Sequence, residues 1–306
     1  MAPKRSASKA KVDDVAVGEA EVHGWKSSKC TDSHLLELVG KFLLQPRSMI
    51  HWHGSERESF PHEEGNESVV FLPYVIRGLG FPISDFFRGL VHHWGVQVHH
   101  LTANSILHIS IFVHLCEAFL GIAPHFDLFQ YFFHLKPHPN ESNVDVVGGA
   151  GLQFRQGKKP KYISYELTDK VIDSKEMWFI IRNLSSSLPL HTPGPPVKRP
   201  NWNSRGGRVD QVNFLLGEIE RLKADHQITS ASVIAHWTLR RVQPQQRRVH
   251  LAFQYTGEED PTRYTRAKIS EDELKDQVAG LLKNVVWRPS LSGAFRAGRR
   301  PREVLL

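Results

Sequence analysis

Apolar positions between Gly80 and Pro137 form the densest and most regular pattern of the chain. Ile83, Phe86, Phe87, Leu90, Val91 and Trp94 recur at i, i+3, i+4, i+7, i+8 and i+11, one face of a 3.6-residue helix. Pro82 and Ser84 suit its first turn and Gly95 its exit. A second helix is predicted from Thr102, its N-cap, to Gly121. Ile106, Leu107, Ile109, Ile111, Phe112, Val113, Leu115, Cys116, Phe119 and Leu120 leave little of its circumference polar, so it belongs at the centre of the core. After Ala123 and Pro124 a Phe-rich helix (Phe126, Phe129, Phe132, Phe133) is expected to run to Lys136-Pro137, where proline disfavours helical geometry in the residue before it.

Patterns on either side are weaker. Residues 1–30 lack periodicity and read as a mobile basic tail. Thr31 or Asp32 caps a helix whose apolar face is Leu35, Leu36, Val39, Phe42 and Leu43. His51 to Asn66 reads as a polar loop, and the β-branched run from Ser68 to Ile76, interrupted by Pro73, as extended chain or a short helix. Beyond Pro137, Gly151–Arg155, Tyr162–Leu167 and Met177–Arg182 are strand-like. Proline and glycine crowd residues 185–207, the expected linker or exposed loop. Helical periodicity returns at Val212, Leu215, Leu216, Ile219 and Leu222, again from Thr229 to Val242, and after a capping box at Ser270 and Glu273. The expectation is a mostly helical α+β protein: a tail (1–30), a helical core domain with a small appended sheet (31–184), a Pro-rich linker (185–207), a basic helical segment (208–287) and a second basic tail (288–306).

Charge sharpens this division. The net charge of +7 resides in the C-terminal third: residues 198–306 carry 20 Lys/Arg against 12 Asp/Glu, and residues 31–197 carry 13 against 16. Basic surface of that kind suits polyanions. Only two cysteines are present, Cys30 and Cys116, which argues against a disulfide framework and fits a reducing compartment. The N-terminus MAPKRSASKAKVDD has no apolar signal region, so an intracellular place, nucleus or cytoplasm, is expected; Lys4-Arg5 with Lys9 and Lys11 is a thin nuclear-import cluster. Leu101 to Ile122 is long enough to span a bilayer, yet it holds Asn104, His108, His114 and Glu117, and a buried soluble helix with no membrane contact is the better reading.

The words FLPYVIRGLGFPISDFFRGL, VQVHHLTANSILHISIFVHLCEAFLGI and PHFDLFQYFFHLKP, followed by GGAGLQFR, KYISYEL, MWFIIRN and NWNSR, resemble the gypsy-type transposon domain of plant genomes. The resemblance implies a retrotransposon-derived protein, and the family also carries the label transposase. Chemistry does not favour that label: strand transfer needs clustered carboxylates holding two metal ions, and Val69 to Gly121 offers only Asp85 and Glu117.

Other candidate sites are similarly thin. Eighteen histidines, among them His51, His53, His92, His93, His99, His100, His108, His114 and His125, crowd the core, and Ser110, His114 and Glu117 share a helical stripe about 60° wide. No HExxH or Cys-x-x-Cys accompanies them, so no metal or other cofactor is assigned and the histidines read as satisfied core groups. Val147-Gly-Gly-Ala-Gly151 lacks the spacing and the following helix of a phosphate loop. Arg240, Arg241, Arg247 and Arg248, interleaved with Trp237, Phe253 and Tyr255, have no acidic residue among them and are the candidate nucleic-acid contacts. The leading expectation is a non-enzymatic, Gag-like interaction or assembly unit working through self-association or a protein partner. The alternative is a DNA- or RNA-binding accessory module using those arginines.

Overall fold

The computed structural model describes residues 24–41, 43–64, 66–81, 83–163, 175–182 and 192–226, with Val233 and Trp237. Helix α1, Asp32–Gly40, starts at Thr31, whose Oγ1 accepts from His34 N at 3.4 Å while His34 Nδ1 accepts from Thr31 N at 3.1 Å. This is a capping box with histidine in the place of the usual glutamate. Leu35 and Leu38 are its buried pair, and Leu36, expected inside, is 59% exposed. The run from Ser68 to Ile76 is both of the things its composition allowed. Strand β2 (Glu67–Phe71) uses the β-branched half, and helix α2 (Leu72–Ile76) takes Pro73 in its first turn, where a missing N–H costs nothing.

Ser84 caps helix α3, Asp85–Trp94, by accepting from Phe87 N at 3.3 Å, and Gly95 ends it at φ 63°. Helix α4, Ala103–His114, is capped by Thr102, which accepts from Ser105 N at 3.1 Å, and it widens into a π-turn over Leu115–Leu120 that Gly121 closes at φ 73°. Helix α5, Phe126–Phe132, is shorter than expected. At Phe133 the chain becomes strand β3 (Phe133–Pro137) instead of continuing as helix to Lys136, because Phe133 and Leu135 alternate with His134 and Lys136 and pair with a later strand. That partner is β4, Ala150–Phe154, in the antiparallel register Phe133 to Phe154 and Leu135 to Leu152.

A second sheet has the order β1-β5-β2, all antiparallel. Strand β1, Trp52–Gly54, lies within the stretch read as loop, and β5, Trp178–Arg182, pairs Trp52 with Ile181 on one side and Val70 with Phe179 on the other. Strand β5 is buried along its first four residues, as the central strand should be. Of the strand expected over Tyr162–Leu167 only Tyr162 and Ile163 are described: both are buried and follow a 3₁₀ turn, Lys159–Lys161, and residues 164–167 lie outside the described residues.

Helix α4 lies at the centre, as its composition requires: Ile111 and Phe112 are fully buried, and Ser105 Oγ accepts from Leu152 N at 2.9 Å, tying it to β4. Ala103–Leu120 is long and apolar enough to cross a membrane by length and composition, and 78% of it is buried within the protein. A single hydrophobic cluster runs from Trp25 through both sheets to Trp237. Helix α6, Val209–His226, joins it through Val212, Leu215, Leu216 and Ile219. From the expected linker, Trp202 is part of this cluster, and Pro196 is buried as well.

Candidate functional site: the polar seam under residues 200–208

Residues 200–208 cross the core as a strap, and Trp202 anchors it. It sits in the 3₁₀ turn Pro200–Asn203, is 1% exposed and donates from its indole nitrogen to Trp94 O at 2.9 Å, satisfying a carbonyl at the end of α3. Asn201 Nδ2 donates to the neighbouring His93 O. Ser204 follows, and its Oγ lies 3.0 Å from His93 Nε2 and accepts from Gln130 Nε2 at 2.9 Å. Arg155, one residue past β4, closes the seam. Its Nε donates to Gln130 O at 2.6 Å, Nη1 to Asn203 Oδ1 at 2.5 Å and Nη2 to Ser204 O at 2.6 Å. At the far end Arg208 pairs with Asp127 at 2.5 Å, and His125 Nε2 meets Gln211 Oε1 at 3.1 Å. Gly206 passes so close to Asp127 that a Cβ would collide with it.

A serine hydroxyl 3.0 Å from an imidazole has the separation of a nucleophile and its base. Here both groups are already engaged. Gln130 Nε2, a donor only, approaches His93 Nε2 at 2.9 Å, and Ser204 Oγ donates to Asn201 O at 2.9 Å. Burial also lowers the His93 pKa, keeping the ring neutral. The seam is a docking joint between two chain segments about a hundred residues apart.

The remaining histidines are dispersed. His108 packs against Phe133 and Phe154 with ring centroids 5.3 and 5.4 Å away, and burial, aided by the charge of Lys159, pushes its pKa down to about 3. His100 is pushed down to about 4 by burial. No three His, Cys, Asp or Glu side chains among the described residues gather in a metal-holding group. In the stripe of Ser110, His114 and Glu117, Ser110 accepts from Trp237 Nε1 at 2.9 Å, and His114 and Glu117 are buried where α4 turns into the π-turn. Asp85, the other core carboxylate, is at the surface in the first turn of α3, paired with Arg88. Both thiols are buried, and desolvation pushes Cys30 and Cys116 up to about 12. Such thiols are inert.

Arg240, Arg241, Arg247 and Arg248 lie outside the described residues, as do residues 1–23, the C-terminal tail, the second C-terminal helix apart from Val233 and Trp237, and the capping box at Ser270; residues 24–30, read as part of the first tail, belong instead to the core, with Trp25, Ser28 and Cys30 buried and Lys29 N donating to Glu176 O at 2.7 Å. Sequence reasoning missed the seam. NWNSR stood out as a motif, but Gln130 and Arg155 carry no local signal that they meet it, because their roles come from tertiary placement.

Residues 69–137, which run from within β2 to the end of β3, match a family described as "Putative gypsy type transposon". The chain is an α+β protein with a helical core, and the part of that core from residue 69 to residue 137 is similar to this gypsy-type transposon family. No curated protein and no solved structure matches it.

Proposed function

We propose that the protein is a non-enzymatic interaction unit of a gypsy-type element, with a Gag-like role in assembly. The observation that carries this reading is how the reactive side chains of the domain are placed. Cys30, Cys116, His100 and His108 are buried and held in their neutral forms, and the Ser204–His93 pair is locked by neutral partners, so these polar groups serve packing. Large apolar side chains meanwhile remain on the outside: Leu36, Met49, Val197, Val209 and Phe214 are 44–71% exposed. Sedimentation velocity of the full chain over a concentration series tests the reading. A sedimentation coefficient that rises with concentration supports assembly, and a monomer up to tens of micromolar contradicts it.

A second reading is a nucleic-acid-binding accessory module. The observation favouring it is the excess of Lys/Arg over Asp/Glu in residues 198–306, 20 against 12, with Arg240, Arg241, Arg247 and Arg248 in an acid-free stretch that also holds Trp237, Phe253 and Tyr255. Binding to an oligonucleotide that weakens steeply with salt, and that is lost when those four arginines become alanine, is the expected result. Unchanged affinity in that variant removes the arginines from the account.

A further inference from the structure

The fold presents a second set of cations, four of them within residues 155–161 and the fifth from a distant segment. Arg155 follows β4; Lys158, Lys159 and Lys161 lie in the turn beyond it; Arg205 arrives from the strap fifty residues later. Arg155 spends its three nitrogens on the neutral oxygens of Gln130, Asn203 and Ser204, so these bonds fix the guanidinium without cancelling its charge. Lys158 lies over the Tyr131 ring, 4.2 Å from its centroid, and donates to that hydroxyl at 3.1 Å. Lys159, Lys161 and Arg205 make no ion pair among the described residues. Among the described residues, Asp127, which lies against Gly206, is committed to Arg208, and Glu220 is committed to Lys223, whose Nζ also donates to Pro160 O.

The local field is therefore positive, and three groups register it. Beyond the effect of burial, Arg205 lowers the pKa of Arg155, Arg155 and Lys136 lower that of His134, and Lys159 lowers that of His108. Fixed like charges held near one another raise the free energy of the unbound protein, and a polyanion relieves it. Exposed neutral side chains lie among the cations: Gln153, Gln156 and Asn203. Cations mixed with amide donors match the phosphate and sugar oxygens of a nucleic-acid backbone. Insertion into a lipid surface requires exposed apolar side chains here, and the large ones lie elsewhere, at Leu36, Met49, Val197, Val209 and Phe214.

We infer that Arg155, Lys158, Lys159, Lys161 and Arg205 form a binding surface for the phosphodiester backbone of nucleic acid, contacting it without reading sequence. The inference rests on the second reading above and adds to it a site on the folded core made of residues other than the four C-terminal arginines. Only Arg155 and Lys158 are held by side-chain partners, so the other three are free to follow the backbone of a flexible strand. A backbone surface of this kind binds in proportion to the charge it neutralises. Each phosphate contact contributes about −0.7 to the slope of log K against log salt on a single strand and about −0.9 on a duplex.

The test is fluorescence anisotropy of the full chain with a labelled 20-nucleotide single strand and the matching duplex across a potassium chloride series, with the variant K158Q/K159Q/K161Q alongside. These lysines are exposed or half-buried, and an unchanged thermal melt shows that the variant is folded. The expected result is binding by the native chain and a slope smaller in magnitude by about 2 in the variant. An identical slope and affinity in the variant overturns the surface. If the arginine-to-alanine variant then loses binding, nucleic-acid binding stands and only this site fails. A native chain that binds neither probe at low salt overturns both. Lysine-dependent binding to phosphatidylserine vesicles without binding to either oligonucleotide also overturns the inference, in favour of a membrane surface.

Discussion

Replacing Trp202 tests whether the strap belongs to the folded core. The side chain is 1% exposed, and its indole nitrogen satisfies Trp94 O at 2.9 Å. Trp202→Ala deletes a buried aromatic ring, a change that costs about 3–5 kcal/mol, and it also leaves a buried helix-end carbonyl without its donor, worth about 1–3 kcal/mol. The two effects overlap because the cavity can admit water, so the expected loss is about 4–5 kcal/mol. Trp202→Phe retains most of the ring and removes the donor, and its expected cost is about 1–2 kcal/mol. Urea titration of the full chain followed by far-UV circular dichroism measures both, because the ellipticity of the core helices is insensitive to the loss of one fluorophore. An alanine variant within about 1 kcal/mol of the native chain, or a phenylalanine variant as damaged as the alanine one, refutes the reasoning.

Three further outcomes follow from named contacts. His100 and His108 have folded-state pKa values pushed down to about 4 and about 3 by burial, so the unfolded chain binds more protons between those values and about 6.5. Stability is then full above pH 6.5 and falls with acidification, by up to about 1.4 kcal/mol per pH unit for each ring. Urea midpoints measured from pH 7 to pH 4.5 show this, and His108→Gln flattens the dependence; an unaltered profile in that variant contradicts the burial of His108. Gly78 sits at φ 91°, and a Cβ there would collide with Ser110 and Trp237, so Gly78→Ala should cost about 2 kcal/mol or more. A melting temperature equal to that of the native chain would show that Trp237 does not pack there. Cys30 and Cys116, with pKa pushed up to about 12, should resist a thiol-specific reagent at pH 8 in the native state and react fully in urea.

What was legible in the sequence was local chemistry. Ser84, Gly95 and Thr102 announce their helix ends because caps act within one turn of the backbone, and the structure places them where the pattern put them. Leu36 was misjudged because a nine-residue helix has only one buried stripe, and Leu35 with Leu38 fills it. Strand β1 has three residues and owes its conformation to β5, more than a hundred positions away, so its own composition says little. The change from helix to strand at Phe133 had a visible signal, the alternation of Phe133 and Leu135 with polar neighbours, which the run of phenylalanines masked. The seam, and the place of Arg205 beside the basic run 155–161, were illegible for a different reason. Gln130, Arg155 and Arg205 are ordinary surface residue types until the strap brings them together.

Assembly is the central claim, and the molar mass of the full chain by light scattering tests it most directly when measured at tens of micromolar in low and in high salt, before and after nuclease treatment. A mass of at least two chains that survives both treatments is the predicted result, since contacts between apolar side chains persist when charges are screened. A monomer under every condition, or a larger species that collapses on nuclease treatment, contradicts it.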